Sequence, residues 1–177
     1  RYIRHSISDG HSVWIAQREG RAKDGIDTTD TAVLKMLSLA GRADQETFAE
    51  SLQQLNPVPV SISYEFDPCD ILKARELAAL YQGDVYLKAD NEDITSIVTG
   101  LMGDKGRVQI SFGERISPSF FYSAEDLATE IDRQIVNGYA CFPINYAAHQ
   151  LLAQQGKCQP LDEYDDDAIK LGSKELH

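Results

Sequence analysis

The residues best suited to chemistry lie in one loop. In "SVWIAQREGRAKDG" (Ser12–Gly25) an apolar run, Val13–Ala16, feeds a segment carrying Arg18, Glu19, Arg21, Lys23 and Asp24, with glycines at 20 and 25. Loops at the carboxyl ends of strands in open α/β sheets gather ligands. Glycine lets backbone approach a ligand closely, and the arginine fork matches phosphate oxygens. Arg21 supplies such a fork and Lys23 a point charge, and a helix starting after Asp27 would add its positive end. Glu19 either holds an arginine in place or accepts a hydrogen bond from a ligand hydroxyl. The loop reads equally as a polar surface segment whose charges pair among themselves.

Other reactive side chains form weaker patterns. His5 and Asp9 stand four apart in "RHSISDG", a dyad spacing that Gly10 also marks as a turn. His149 falls among alanines and leucines, as a half-buried structural histidine does, and His11 has no carboxylate at ligand spacing. There is no nucleophile elbow, phosphate-binding glycine loop or dinucleotide fingerprint, and no metal site is expected.

These residues need elements to hold them. Val13–Ala16 is short, apolar and β-prone. "DTTDTAVLKMLSLAG" predicts a helix capped by Asp27, Thr28 or Thr29, with Val33, Met36, Leu37 and Ala40 as its stripe and Gly41 as its end. A second helix is expected from near Asp44, burying Phe48, Leu52 and Leu55 and stopping at Asn56–Pro57. Val58–Phe66 is the clearest strand. Asp67–Pro68 opens a helix through Ile71, Leu72, Leu77 and Leu80. "NEDITSIVTGLMGDKG" predicts another helix and Arg107–Glu114 a third strand. Ser123-x-x-Asp126 starts a helix carrying Leu127, Ile131 and Ile135, and "NYAAHQLLAQQG" closes with one more. Strands separated by helices predict an α/β domain with a largely parallel sheet flanked by helices.

The 177 residues fit one domain, over 1–160, with an acidic tail over 161–177. A net charge of −11 argues against nucleic-acid binding. The tail's acidic run, "LDEYDDDAIK" (Leu161–Lys170), lacks the turn-forming glycine of a Ca²⁺ loop. Three cysteines without C-x-x-C spacing suit a reducing compartment. No apolar run reaches the ~20 residues of a membrane span. The chain opens on "RYIRHS" without Met, and three strands are few for a parallel sheet; both suggest a piece of something longer. Missing sheet neighbours would leave an open edge, inviting a homo-oligomer through it.

Three segments, in order, carry a resemblance. "RYIRHS", "VWIAQREGRAKDG" and "PVPVSISYE" resemble the second, third and fourth sequence blocks of the glycerolphosphate and lysophosphatidate acyltransferases. "GRAKDG" is similar to the "GRSRTG" of the glycerolphosphate enzymes, Arg21 and Lys23 taking the basic places. The likeness continues downstream to about Ala153. It implies an incomplete part of that fold. It also implies transfer of a fatty acyl group from acyl-CoA or acyl-carrier protein to a glycerol-phosphate or lysophospholipid hydroxyl, at the cytoplasmic face of a membrane, with no bound cofactor. In the family an H-x-x-x-x-D histidine deprotonates the acceptor, and the second and third blocks grip its phosphate. Carried over, phosphate contact falls to Arg4, Arg21 and Lys23, with Glu19 and Gly20 shaping the loop and Pro59 the acyl side. His5 takes the second arginine place of "F-I-R-R". No H-x-x-x-x-D occurs in these residues, so the resemblance implies a C-terminal fragment with no catalytic residue of its own. The alternative is a non-catalytic module binding a phosphorylated ligand or partner.

Overall fold

The computed structural model describes residues 2–19, 23–117, 121 and 123–161. In chain order the helices are α1 (Tyr2–Ser8), α2 (Thr31–Ser38), α3 (Phe48–Gln53), α4 (Asp70–Tyr81), α5 (Glu92–Met102), α6 (Ala124–Asn137) and α7 (Pro143–Gln154), with a 3-10 turn over Leu39–Asp44. The strands are β1 (Val60–Tyr64) and β2 (Val108–Phe112). The acidic tail beyond Leu161 lies outside the described residues.

The expected parallel sheet is not there. Among the described residues there is one two-stranded sheet, and it is antiparallel. The Glu65 N–H donates to the Arg107 carbonyl at 2.9 Å and the Gly113 N–H to the Pro59 carbonyl at 2.8 Å, so residue numbers run in opposite directions along the pair. The reason lies in the connection. A connection long enough to hold α4 and α5 can return the chain in either direction, so the succession of strand, helix and strand did not fix a parallel pairing. Val13–Ala16, expected as a further strand, is assigned to neither helix nor strand. A strand exists only through the neighbour that satisfies its backbone groups.

The chain divides into two compact units. The first comprises the described parts of Arg1–Ser61 and Ser111–Gly138 and holds the hydrophobic core. Leu34 of α2, Leu52 of α3, Ile116, and Ala124, Leu127 and Ala128 of α6 form a buried cluster, with Leu37, Phe48, Leu55, Phe121 and Ile131 packed against it. Each fully buried leucine contributes roughly 1.5–3 kcal/mol. The α3 and α6 stripes are those expected from spacing. On α2 the buried residue is Leu34, and Met36 faces out.

Helix starts follow local chemistry. Asp30, not the three residues before it, caps α2 by accepting the Ala32 N–H at 2.8 Å. Thr47 and Glu50 form a reciprocal capping box on α3, and Ser123 accepts the Asp126 N–H at 3.0 Å on α6.

The second unit comprises Ile62–Ile110 and the described part from Tyr139 onward. Asp67 accepts the Cys69 N–H at 2.9 Å, and α4 begins at Asp70, two residues beyond Pro68. The anticipated α4 stripe does not form a core, since no α4 residue is buried. On α5 the buried residue is Ser96, whose carbonyl accepts from the Cys69 thiol at 3.3 Å. Ile94, Ile97, Val98 and Leu101 face outward.

Candidate functional site

The loop after Val13–Ala16 is closed at its base by the Asp30 N–H, which donates to the Gln17 carbonyl at 2.9 Å. The Arg18 guanidinium reaches across it to the Thr28 hydroxyl at 2.8 Å. Thr29 donates through both N–H and hydroxyl to one Asp132 carboxylate oxygen, at 2.8 and 2.6 Å, tying the loop to α6. Asp24 accepts the Ile26 N–H at 3.1 Å, and Gly25 takes the left-handed turn (φ +78°) that a side chain would strain. Together these bonds shape an open hollow of about 350 Å³ lined by Arg18, Glu19, Thr28, Thr29 and Asp30.

The hollow's described lining carries one cation and two carboxylates, together with hydroxyls that already have partners. The positive end of α2 is already met by Asp30. Glu19 is exposed on the rim, and Lys23 is exposed farther along the loop. Gly20 and Arg21 lie outside the described residues.

Arg4 is held elsewhere. On α1 its fork meets Glu46 in two bonds, Nη1 to Oε2 at 2.8 Å and Nη2 to Oε1 at 2.5 Å, with Gln54 as a further partner and Asp44 at 3.7 Å. Glu46 also accepts from the Ser51 hydroxyl at 3.0 Å and the Gln54 amide at 2.7 Å. The Arg4 guanidinium lowers the Glu46 pKa below the ordinary carboxylate value, and Glu46 raises that of Arg4. Arg4 lines a second hollow of about 370 Å³ with His5, Ser8, Ala40, Ala43 and Asp44. Arg4 and Glu19 therefore border different hollows.

His5 and Asp9 approach to 3.4 Å across one exposed turn of α1, and Gly10 follows in a positive-φ turn (+84°). Both features of "RHSISDG" are present, helix spacing and turn alike. Pro59 is buried just before β1, its carbonyl extending the ladder to Gly113. His149 is half-buried on α7, and His11 is exposed. The cysteines are free thiols, Cys69 buried, Cys141 exposed and Cys158 between the two.

One cluster escaped the reading of the chain. Glu65, 7% exposed, receives the Arg107 Nε at 2.9 Å, the Arg107 backbone N–H at 2.8 Å, and Nη2 of the same fork. The Arg107 side chain and N–H hold the Glu65 carboxyl down to about 2. The Arg107 guanidinium also lies 5.4 Å from the Phe142 ring centre, a cation–π distance. The sequence signal was the register: Glu65 directly follows β1 and Arg107 directly precedes β2, and only antiparallel pairing sets them opposite.

Among the described residues no three His, Cys, Asp or Glu side chains gather as a metal site, and no helix is long and apolar enough to cross a membrane. Compared with protein-family models, curated proteins and solved structures, the chain matches none.

Proposed function

We propose that this chain is the acceptor-side part of an acyltransferase. The enzyme moves a fatty acyl group from acyl-CoA or acyl-carrier protein to a glycerol-phosphate or lysophospholipid hydroxyl, working peripherally at the inner face of the membrane. The single observation that carries the reading is the order of "YIRH", "VWIAQREGRAKDG" and "PVPVSISYE" along the chain. The loop geometry is compatible with the role, because Arg18–Thr28 and Thr29–Asp132 give its base fixed anchors. On this reading Arg21 and Lys23 meet the acceptor phosphate, Glu19 and Gly20 shape the loop, and Pro59 borders the acyl chain. Arg4 contributes only when a phosphate displaces Glu46 from its fork. The base that deprotonates the hydroxyl is an H-x-x-x-x-D histidine outside these residues, worth roughly 10²–10⁴-fold in rate.

The test is acyl transfer by the full-length protein across phosphorylated and non-phosphorylated acceptors. Arg21→Ala is expected to cost about 1.5–3 kcal/mol, a roughly tenfold to hundredfold fall in kcat/KM for phosphorylated acceptors. An unchanged acceptor dependence overturns the assignment of Arg21. Absence of an H-x-x-x-x-D motif from the full-length sequence favours the phosphate-binding module instead.

A further inference from the structure

The base of the loop is tied to a residue that no motif points to. Asp132 lies half-buried on α6, beside the stripe that buries Ala128 and Ile135. Its Oδ1 accepts from Thr29 twice, from the N–H at 2.8 Å and from the hydroxyl at 2.6 Å. A carboxylate drawn partly out of water needs such donors, and bonds to a charged acceptor are the strong ones. Thr29 is therefore fixed against a helix that belongs to the core.

The neighbours of Thr29 pass that fixed point on. Thr28 accepts from Arg18 Nη1 at 2.8 Å, and the Asp30 N–H holds the Gln17 carbonyl at 2.9 Å. All of these residues belong to the first unit. Arg18 is the cation of the hollow's described lining, with Glu19, Asp30 and the two threonines around the same space. One Asp30 oxygen is taken by the Ala32 N–H. Such a lining suits an anionic group carried among hydroxyls: the anion meets the guanidinium, and the hydroxyls donate to the carboxylates.

We propose that Arg18 is a further contact to the acceptor phosphate, and that Asp132 is the positioning residue that holds it at the hollow through Thr29 and Thr28. The inference rests on the acyltransferase reading above, in which the resemblance gives phosphate contact to Arg4, Arg21 and Lys23 and leaves both residues out. Arg4 has its fork on Glu46, whereas the bond to Arg18 comes from a neutral hydroxyl that leaves its charge uncompensated.

The test is a double-mutant cycle in the full-length protein, read as KM and kcat for glycerol phosphate and lysophosphatidate with acyl-CoA as donor. Asp132→Ala should raise the acceptor KM about tenfold, with kcat and the donor KM nearly unchanged. Asp132→Asn keeps an oxygen for both Thr29 donors and should restore most of the affinity. Arg18→Ala should raise the acceptor KM at least as much, and adding Asp132→Ala to it should cost little more, because the two act through one contact. The inference is overturned by an unchanged acceptor KM in Asp132→Ala, by a fall in kcat with both KM values in place, or by full additivity of the two changes. If Asp132→Ala fails to fold, Thr29→Val, which removes the hydroxyl bond alone, decides by the same split. A wild type that acylates neither acceptor overturns the acyltransferase reading and this inference together. An active wild type with an indifferent Asp132→Ala overturns this inference alone.

Discussion

At the scale of single residues, two arginines open to a ligand reading are held by carboxylates of the same chain. Arg4, read from the resemblance as a phosphate ligand, has its fork on Glu46. Arg107, read only as the start of a strand, holds Glu65, the one buried carboxylate among the described residues. Glu130 is also held down to about 2, by Arg133 beside it on the same helix, but that pair is more open to solvent. A depressed carboxyl pKa adds stability above its unfolded value, near 4.3, and that stability fades as pH falls toward the folded value. The Glu65 contribution should therefore be complete above about pH 5 and lost on the way down to about 2. Urea midpoints followed across that window should fall steeply in the wild type. Glu65→Gln should lower stability at neutral pH and flatten the acid limb, whereas Glu130→Gln should leave most of that limb in place. An acid limb unaltered by Glu65→Gln would remove Arg107–Glu65 as its source.

At the scale of elements, short-range signals located most helices, and their caps explain why. Ser123-x-x-Asp126 marks α6 correctly, and the stripe Phe48, Leu52 and Leu55 marks α3. The start of α3 was legible too, in Thr47-x-x-Glu50, although the expected boundary near Asp44 passed over it for the 3-10 turn. Thr47→Ala removes the oxygen that accepts the Glu50 N–H and should cost about 1 kcal/mol of unfolding free energy, read from chemical denaturation. Strands fared differently. Val58–Phe66 and Arg107–Glu114 contain β1 and β2, yet Val13–Ala16, also β-prone, joins neither of them. Propensity marks a segment fit to be a strand; a partner makes it one.

At the scale of the whole molecule, function requires more than the loop supplies. The proposed reaction needs a base near the acceptor hydroxyl. His5 on α1 and Asp9 just beyond it form an exposed pair, and His149 lies half-buried on α7 with its carbonyl taking a bond from Cys158 at 3.7 Å. None stands in an H-x-x-x-x-D motif. Incubated with an acyl thioester and glycerol phosphate, the 177-residue chain should form no acylated product. Transfer by this chain alone would place a base within it and overturn that part of the proposal. No described helix is long and apolar enough to cross a bilayer.

What the sequence determined by itself was local: which segments from α2 onward are helical, which stripes of α3 and α6 turn inward, and which segments are β-prone. Those properties depend on neighbours a few residues away, through caps, spacing and side-chain shape. Tertiary structure alone decided the direction of the sheet, the Glu65–Arg107 pair, the occupation of Arg4 by Glu46, and that Val13–Ala16 stays out of the β1–β2 sheet. Each depends on which distant segments meet, and hydrophobic pattern, being without direction along the chain, does not specify that.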